Sequence, residues 1–362
     1  MKITELEIYP IAIQLRKPFK IALGTSYYYE GVLVKIETDE NIYGWGEASP
    51  SEKITFETQS TVINALQRMK PSVIAKNPIE IEKIMKELDT KINGNSAAKA
   101  GIDLALHDIL GKYLDLPLYV AFGNDKSEIK TSITIGIKGV DETIEEALKL
   151  IDQKVKIIKL KIGIDAEKDI EKVKALRAAI GYQTRLRIDA NQGYSTRQAI
   201  KVLKALERYE LEFIEQPVVA SDIDGLREVR NNTAIPIMAD EALHTPRDAI
   251  ELIKSDAVDL FNIKLMKSGG LSKALKIAEI AQAAGIPCMV GCMVETKLGI
   301  TAGMHLALGK KIVRYADLDG HLDLEIDCIK DGVETLEGTN RLGNGVGLGI
   351  EVDNEILERI KV

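Results

Sequence analysis

Hydrophobic and polar positions along this chain follow two rhythms. From about residue 131, short β-rich runs recur at TSITIG (131–136), KIIKLKIG (156–163), RLRIDA (185–190), FIEQP (213–217), IPIMAD (235–240), LFNIKL (260–265), PCMVGC (287–292) and IVRYADL (312–318). Their centres, near residues 133, 158, 187, 214, 237, 262, 289 and 314, lie 23 to 29 residues apart, room for one strand, one helix and two loops. The gaps read as helices with end signals. AEKDIEKVKALRAAIG opens on acidic residues and closes at Gly181, and LSKALKIAEIAQAAG closes at Gly285. Eight strands alternating with helices, the last without a full partner helix, predict an α/β fold of the (β/α)7β type, a modified TIM barrel.

Before residue 131 the pattern differs. ITELEIYPIAI and VLVKIETDENIYGWGEA alternate as antiparallel strands joined by a turn at TDEN. Helical patterns follow at about 57–68, at 78–92 and through SAAKAGIDLALHDILGKYLD. The expected organisation is an α+β capping domain over 1–125, the barrel over 126–322, and a tail over 323–362 that returns to the cap.

Composition removes several function classes. With 362 residues and 45% hydrophobic content the chain can bury a large core, and it exceeds a bare barrel of roughly 250 residues. Lys+Arg total 48 against 55 Asp+Glu, a net charge of −7 with no basic stripe, which argues against nucleic acid. No apolar run approaches the roughly 18 residues of a membrane span. MKITELEIYP places charges where a signal peptide needs apolar residues. An odd set of three cysteines, Cys288, Cys292 and Cys328, is no disulfide framework and fits the cytoplasm. The four histidines form no HExxH pair, and no GxSxG elbow exists. GNGVGLG (343–349) reads as turn-rich connection rather than a dinucleotide loop, because too little chain follows it. Lys267-Ser268-Gly269-Gly270 reads either as a phosphate cradle or as a plain helix start.

The chemistry lies at the strand ends, where parallel barrels place their active sites. Lys159 and Lys161 share one side of the second strand, and Asp189, Glu215 and Asp240 end the third, fourth and fifth. The sixth carries Lys264, and the eighth ends in Asp317 and Asp319. Three carboxylates on consecutive strands can converge on one hard cation with positions left open, which suits Mg²⁺. Strands two and six face each other across an eight-stranded barrel, so Lys161 and Lys264 would address opposite faces of a substrate. That layout suits removal of a proton from carbon beside a carboxylate and its return on the other face. The metal stabilises the resulting enediolate charge. A lysine base needs its pKa lowered toward about 7–8, and Lys159 and the metal are the expected cationic neighbours. Glu241 is expected to point away from the interior, with a role in supporting the metal ligands or a purely structural one.

KLK (159–161), RIDANQGY (187–194), FIEQPV (213–218), ADEAL (239–243) and NIKLMKSGG (262–270) resemble the muconate-lactonizing branch of the enolase superfamily, and GWGEASP (44–50) extends the resemblance into the cap. The resemblance implies one Mg²⁺ per subunit on Asp189, Glu215 and Asp240, and acid/base catalysis by Lys161 and Lys264. That branch also catalyses cycloisomerisation, o-succinylbenzoate formation and N-acylamino acid racemisation. ADLDGHLDL, with Asp317 and Asp319, resembles the Asp-x-Asp motif of its dipeptide epimerases, which holds the substrate ammonium. Thr134, Lys159, Cys292 and Val294 match further substrate contacts. Where Ala-Glu epimerases can carry an arginine, this chain has Gly24, followed by Tyr27, Tyr28 and Tyr29. The resemblance thus implies a dipeptide substrate with a hydrophobic or broad side-chain preference, Ala-Glu epimerisation being the alternative. It also implies a homo-oligomer.

Overall fold

The computed structural model of the protein describes residues 1–362. It opens with a three-stranded antiparallel sheet of β1 (Ile3–Ile21), β2 (Gly24–Thr38) and β3 (Tyr43–Ala48). Period-two alternation divides the faces of β2 between two cores. Val32, Val34 and Ile36 pack with α1 (Gln59–Val73), α2 (Ile81–Lys91) and α3 (Ser96–Tyr113). Leu33, with Ile11 and Ile13 of β1, joins the apolar core of the barrel instead. Gly46 lets α3 lie directly on the sheet, because a Cβ there would overlap the Gly101 carbonyl. α1 runs through Pro71 to Val73, beyond the expected end near residue 68.

A short helix α4 (Leu118–Phe122) and strand β4 (Glu128–Lys130) lead into the barrel. Its strands are β5 (Ile133–Ile135), β6 (Ile157–Lys161), β7 (Arg185–Asp189), β8 (Leu211–Glu215), β9 (Ile237–Ala239), β10 (Leu260–Lys264), β11 (Cys288–Gly291) and β12 (Val313–Asp317). They form one parallel sheet in chain order, and a Thr131–Ala316 bridge joins its two edges. Every predicted barrel strand is present, each within about two residues of its expected start and end, whereas in the cap β1 runs on to Ile21 and β2 starts at Gly24, both beyond the expected runs.

Seven full helices follow the first seven strands: α5 (Val140–Asp152), α6 (Ala166–Ile180), α7 (Thr196–Leu206), α8 (Ile223–Asn231), α9 (Pro246–Lys254), then, after a single turn α10 (Leu265–Ser268), α11 (Leu271–Ala284) and α12 (Lys297–Gly309). After β12 comes only a 3₁₀ turn at Gly320–Asp323. The floor of the barrel is closed by Phe213, Met238, Leu260, Met289 and Tyr315. The buried Arg187 guanidinium lies 5.1 Å from the Phe213 ring and 5.4 Å from that of Tyr315. The polar residues above are thereby shut off from the opposite end.

The tail pairs with earlier chain. β13 (Ile329–Asp331) pairs β16 (Ile350–Val352), and β14 (Val333–Leu336) with β15 (Thr339–Leu342) extends β4. Bridges Leu15–Leu324 and Ile11–Lys361 set the tail and its helix α13 (Asn354–Ile360) against β1. The Gly-rich 343–349 segment is a turn packed on α3, Leu348 N donating to Asp108 at 2.8 Å. No helix is long and apolar enough to cross a membrane.

Candidate active site

Asp189 closes β7, Glu215 closes β8, and Asp240 follows β9 by one residue. One carboxylate oxygen from each lies within 4.8 Å of the other two, and all three side chains are buried. Burial and the charge of Asp189 push Glu215 well above the ordinary carboxylate range. Burial also acts to raise Asp240, but the Lys264 and Lys267 ammoniums hold it well below that range. Glu215 Oε2 is buried without a well-directed hydrogen bond, its ionic partner being Lys159 at 2.8 Å. Crowded, hard, under-satisfied oxygens of this kind fit a small divalent cation, and Mg²⁺ matches the donor type and number.

The lysines surround this cluster. Lys161 Nζ donates to Asp189 at 2.6 Å and to Asn191 at 3.1 Å, while Lys264 Nζ donates to Asp240 at 2.7 Å. Strand order sets β6 and β10 four positions apart, so the two lysines face each other across the site. Lys159 departs from expectation. Its buried ammonium lies 2.7 Å from Asp317, 2.8 Å from Glu215 and 3.0 Å from Asp189. Burial alone would lower its pKa, but these three carboxylates hold it well above the lysine range. Its charge balances theirs. Lys264 likewise is lowered by burial and raised more strongly by Asp240 and Glu215, ending above the ordinary lysine value rather than near neutrality.

The two eighth-strand aspartates are not equivalent. Asp317 is tied to Lys159 and, at 2.7 Å, to the Ser132 hydroxyl. Asp319 is half-buried, accepts the Thr134 N–H at 2.7 Å and pairs with no lysine or arginine. Burial and the Asp317 charge push it up to about 7. It is a carboxylate short of a cation. The Cys292 thiol donates to the Asp317 carbonyl at 3.2 Å, and the Val294 carbonyl accepts from Ser49 Oγ at 2.7 Å.

These groups open into a cavity of about 450 Å³ shared by barrel and cap. Thr134, Lys159, Lys161, Lys264, Cys292, Val294, Asp317 and Asp319 all line it, as does Gly24. Gly24 has φ +151°, a region open essentially to glycine, and a Cβ there would meet nothing within 4 Å. Phe19, Ile21 and Leu23 make the adjoining hairpin wall apolar, with Ile54 and Met293 also lining the cavity. Of the three tyrosines, Tyr28 and Tyr29 line the cavity, Tyr28 largely exposed and Tyr29 buried with its hydroxyl on Glu47, and Tyr27 lies outside.

Several neighbours were not anticipated. Lys267 turns inward to the Asp240 carboxylate and carbonyl, which excludes a phosphate cradle at 267–270. Asn262 donates to Glu215 at 2.9 Å. Glu241 is the clearest correction, because it does not point away: it accepts from Asn191 at 3.1 Å. β9 ends at Ala239, so strand alternation does not set the direction of Glu241. The spacing Lys264-x-x-Lys267 on one helical turn was the available signal for Lys267.

A buried carboxylate triad flanked by opposed lysines at the carboxy-terminal mouth of a capped barrel defines a proton-transfer enzyme of the metal-assisted class. The mandelate racemase/muconate lactonizing enzyme N-terminal domain matches residues 3–123, and the enolase C-terminal domain-like family matches residues 142–356. The chain therefore belongs to the enolase superfamily, in its mandelate racemase/muconate lactonizing branch. It is similar to the hydrophobic dipeptide epimerase of Enterococcus faecalis, 40% identical over 97% of this chain and 99% of the relative. The crystal structure of the dipeptide epimerase from that strain with Mg and L-Leu-L-Tyr superposes with a TM-score of 0.95, covering 97% of this chain and 100% of that one. The L-Ala-D/L-Glu epimerase of Bacillus subtilis is 38% identical over 97% of both chains. The N-succinyl-L-Arg/Lys racemase of Bacillus cereus is 36% identical over 100% of this chain and 98% of the relative.

Proposed function

We propose that this protein is an isomerase, a Mg²⁺-dependent dipeptide epimerase that inverts the α-carbon of the carboxy-terminal residue. The observation that carries this reading is Asp319, an under-paired carboxylate facing the same cavity as the opposed lysines. A dipeptide has a carboxylate for the metal end and an α-ammonium for the aspartate end, whereas an N-acyl amino acid has no α-ammonium to offer.

Asp189, Glu215 and Asp240 would hold the ion, which supplies Lewis-acid stabilisation of charge developing on the substrate carboxylate. Lys161, when neutral, takes the α-proton from one face through Nζ, and the Lys264 ammonium delivers a proton to the opposite face. One C–H bond breaks, another forms on the other side, and the lysines exchange protonation states. The reverse direction starts at Lys264. Asp319 receives the substrate ammonium, with Asp317 held beside it by Lys159 and Ser132. Thr134, Cys292 and Val294 complete the wall along the peptide.

Residues 126–322 thus supply the chemistry, while 1–125 with 323–362 select the side chain. The apolar hairpin and the open space at Gly24 support a hydrophobic or broad preference over glutamate. The enzyme acts in the cytoplasm as a homo-oligomer. A pooled dipeptide library incubated with enzyme and Mg²⁺ in D₂O, read by mass spectrometry, tests the reading. Deuterium enters dipeptides with apolar carboxy-terminal residues ahead of L-Ala-L-Glu. Label confined to N-acyl amino acids overturns the assignment.

A further inference from the structure

A buried carboxylate at the junction of cap and barrel takes no part in the reaction above. Glu47, in β3, is wholly buried and accepts four hydrogen bonds. Its Oε1 accepts the Tyr29 hydroxyl and, at 2.8 Å, the Thr296 N–H. Oε2 accepts the Thr296 hydroxyl and the Gly299 N–H, both at 2.7 Å. Thr296 is the N-cap of α12, so a cap residue satisfies backbone donors at the start of a barrel helix. Two residues on, Ser49 Oγ holds the Val294 carbonyl.

The segment gripped this way is the connection from β11 to α12. Cys292, Met293 and Val294 of that connection form one wall of the cavity. Within the segment, Met293 N donates to Glu295 at 2.8 Å, and Glu295 is itself buried. Packing alone does not explain two buried carboxylates. An apolar residue would fill the same space without the desolvation cost of a charge, which is several kcal/mol even when partners are present. Four convergent donors are what a carboxylate acceptor provides for and an apolar side chain does not.

We infer that Glu47 is a positioning residue for substrate recognition: by capping α12 from the opposite unit, it fixes the 292–296 wall against which the dipeptide binds. Glu47 touches no reacting atom. Tyr29 and Ser49 belong to the same clasp, which gives Tyr29 a reason to be buried other than lining a pocket. The specificity-bearing cap holds the barrel wall through the Glu47 carboxylate and the Ser49 hydroxyl, so the shape of the cavity is set before substrate arrives. The recognition role rests on the dipeptide reading; the ordering of the wall does not.

The test uses the full-length Mg²⁺-loaded enzyme as wild type, Glu47→Gln and Ser49→Ala. Hydrogen–deuterium exchange without substrate is expected to rise about tenfold at amides 292–300 in Glu47→Gln, with β6 to β10 unchanged. KM for an apolar dipeptide rises about tenfold while kcat stays within about threefold. Ser49→Ala moves both quantities the same way by about threefold. Unchanged exchange at 292–300, or an equal rise through every barrel strand, overturns the inference, as does a fall in kcat with KM unmoved. If Glu47→Gln does not fold, the Ser49→Ala exchange decides. A wild type that turns over no dipeptide sinks the dipeptide reading, and the exchange measurement still judges the clasp.

Discussion

In the proposed mechanism Lys161 and Lys264 each serve one face of the α-carbon, so removing one should leave half of the reaction. Lys161→Ala is expected to lower epimerisation about 10³-fold while one epimer still exchanges its α-proton with solvent. Lys264→Ala does the same for the other epimer. Proton NMR of the separate epimers in D₂O checks this, and exchange of both in either variant would sink the two-base assignment. Asp319 supplies a second outcome. Burial and the Asp317 charge push its carboxyl up to about 7, so in the proposed mechanism a substrate ammonium would lose its anionic partner below that pH. kcat/KM for dipeptides therefore falls as pH drops through about 7. Asp319→Asn removes that limb from the pH–rate profile and raises KM at pH 8. Asp317→Asn does more damage, because Lys159 then faces Asp189 and Glu215 without its third partner.

Elements add constraints that single residues do not. The hairpin of β1 and β2 reaches over the barrel mouth with Gly24 at φ +151°. Gly24→Ala should cost about 1–3 kcal/mol by denaturant titration although space is free, since the backbone and not the pocket resists it. Gly24→Arg carries the same cost and shifts preference toward L-Ala-L-Glu. At the β11–α12 connection, burial and the neighbouring Glu47 push Glu295 up to about 8, against an ordinary value of 4.5. A carboxyl raised on folding binds more protons in the native state than in the unfolded one between those values. Stability therefore declines as pH rises from about 4.5 to 8 and levels off above. Glu295→Gln is expected to flatten that decline by a few kcal/mol at most, seen as a larger gain in melting temperature at pH 8 than at pH 5.

The barrel was legible at this scale because period-two apolar runs alternated with capped helices, and the strand-end charges were found by parity within each strand. What escaped had no local signature. The Lys159 cage draws carboxylates from three strands, and the Glu47 clasp joins residues about 250 positions apart. Glu241 lies two residues past the end of β9, where strand geometry no longer says which way a side chain points.

For the whole molecule, three buried carboxylates held together at the barrel mouth are a standing electrostatic cost, eased by four lysines and suited to a divalent ion. Mg²⁺ is expected to raise the melting temperature with increasing concentration, by about 2.7 kcal/mol of stability at a hundred times its Kd. Glu215→Gln should blunt that rise, and a metal-independent melting curve for the wild type would contradict the ligand set. The two larger apolar cores, one within the cap helices and one running from the barrel to the underside of the sheet, leave the cap helices with a core of their own beside that of the barrel.

The tail strands and bridges have a consequence in time as well as in space. β1 is bridged at Ile11 and Leu15 by Lys361 and Leu324, residues translated more than three hundred positions later. At roughly 5–20 residues per second, the nascent β1 lacks those partners for about 15–60 s. The lysines and carboxylates of β6 to β10 all leave the ribosome within that interval. The buried lysines and carboxylates of the barrel thus emerge before the tail reaches β1, and the edge of β1 that faces away from β2 stands open in the meantime. Translation speed, rather than the stability of the finished protein, sets how long that edge is open to other chains.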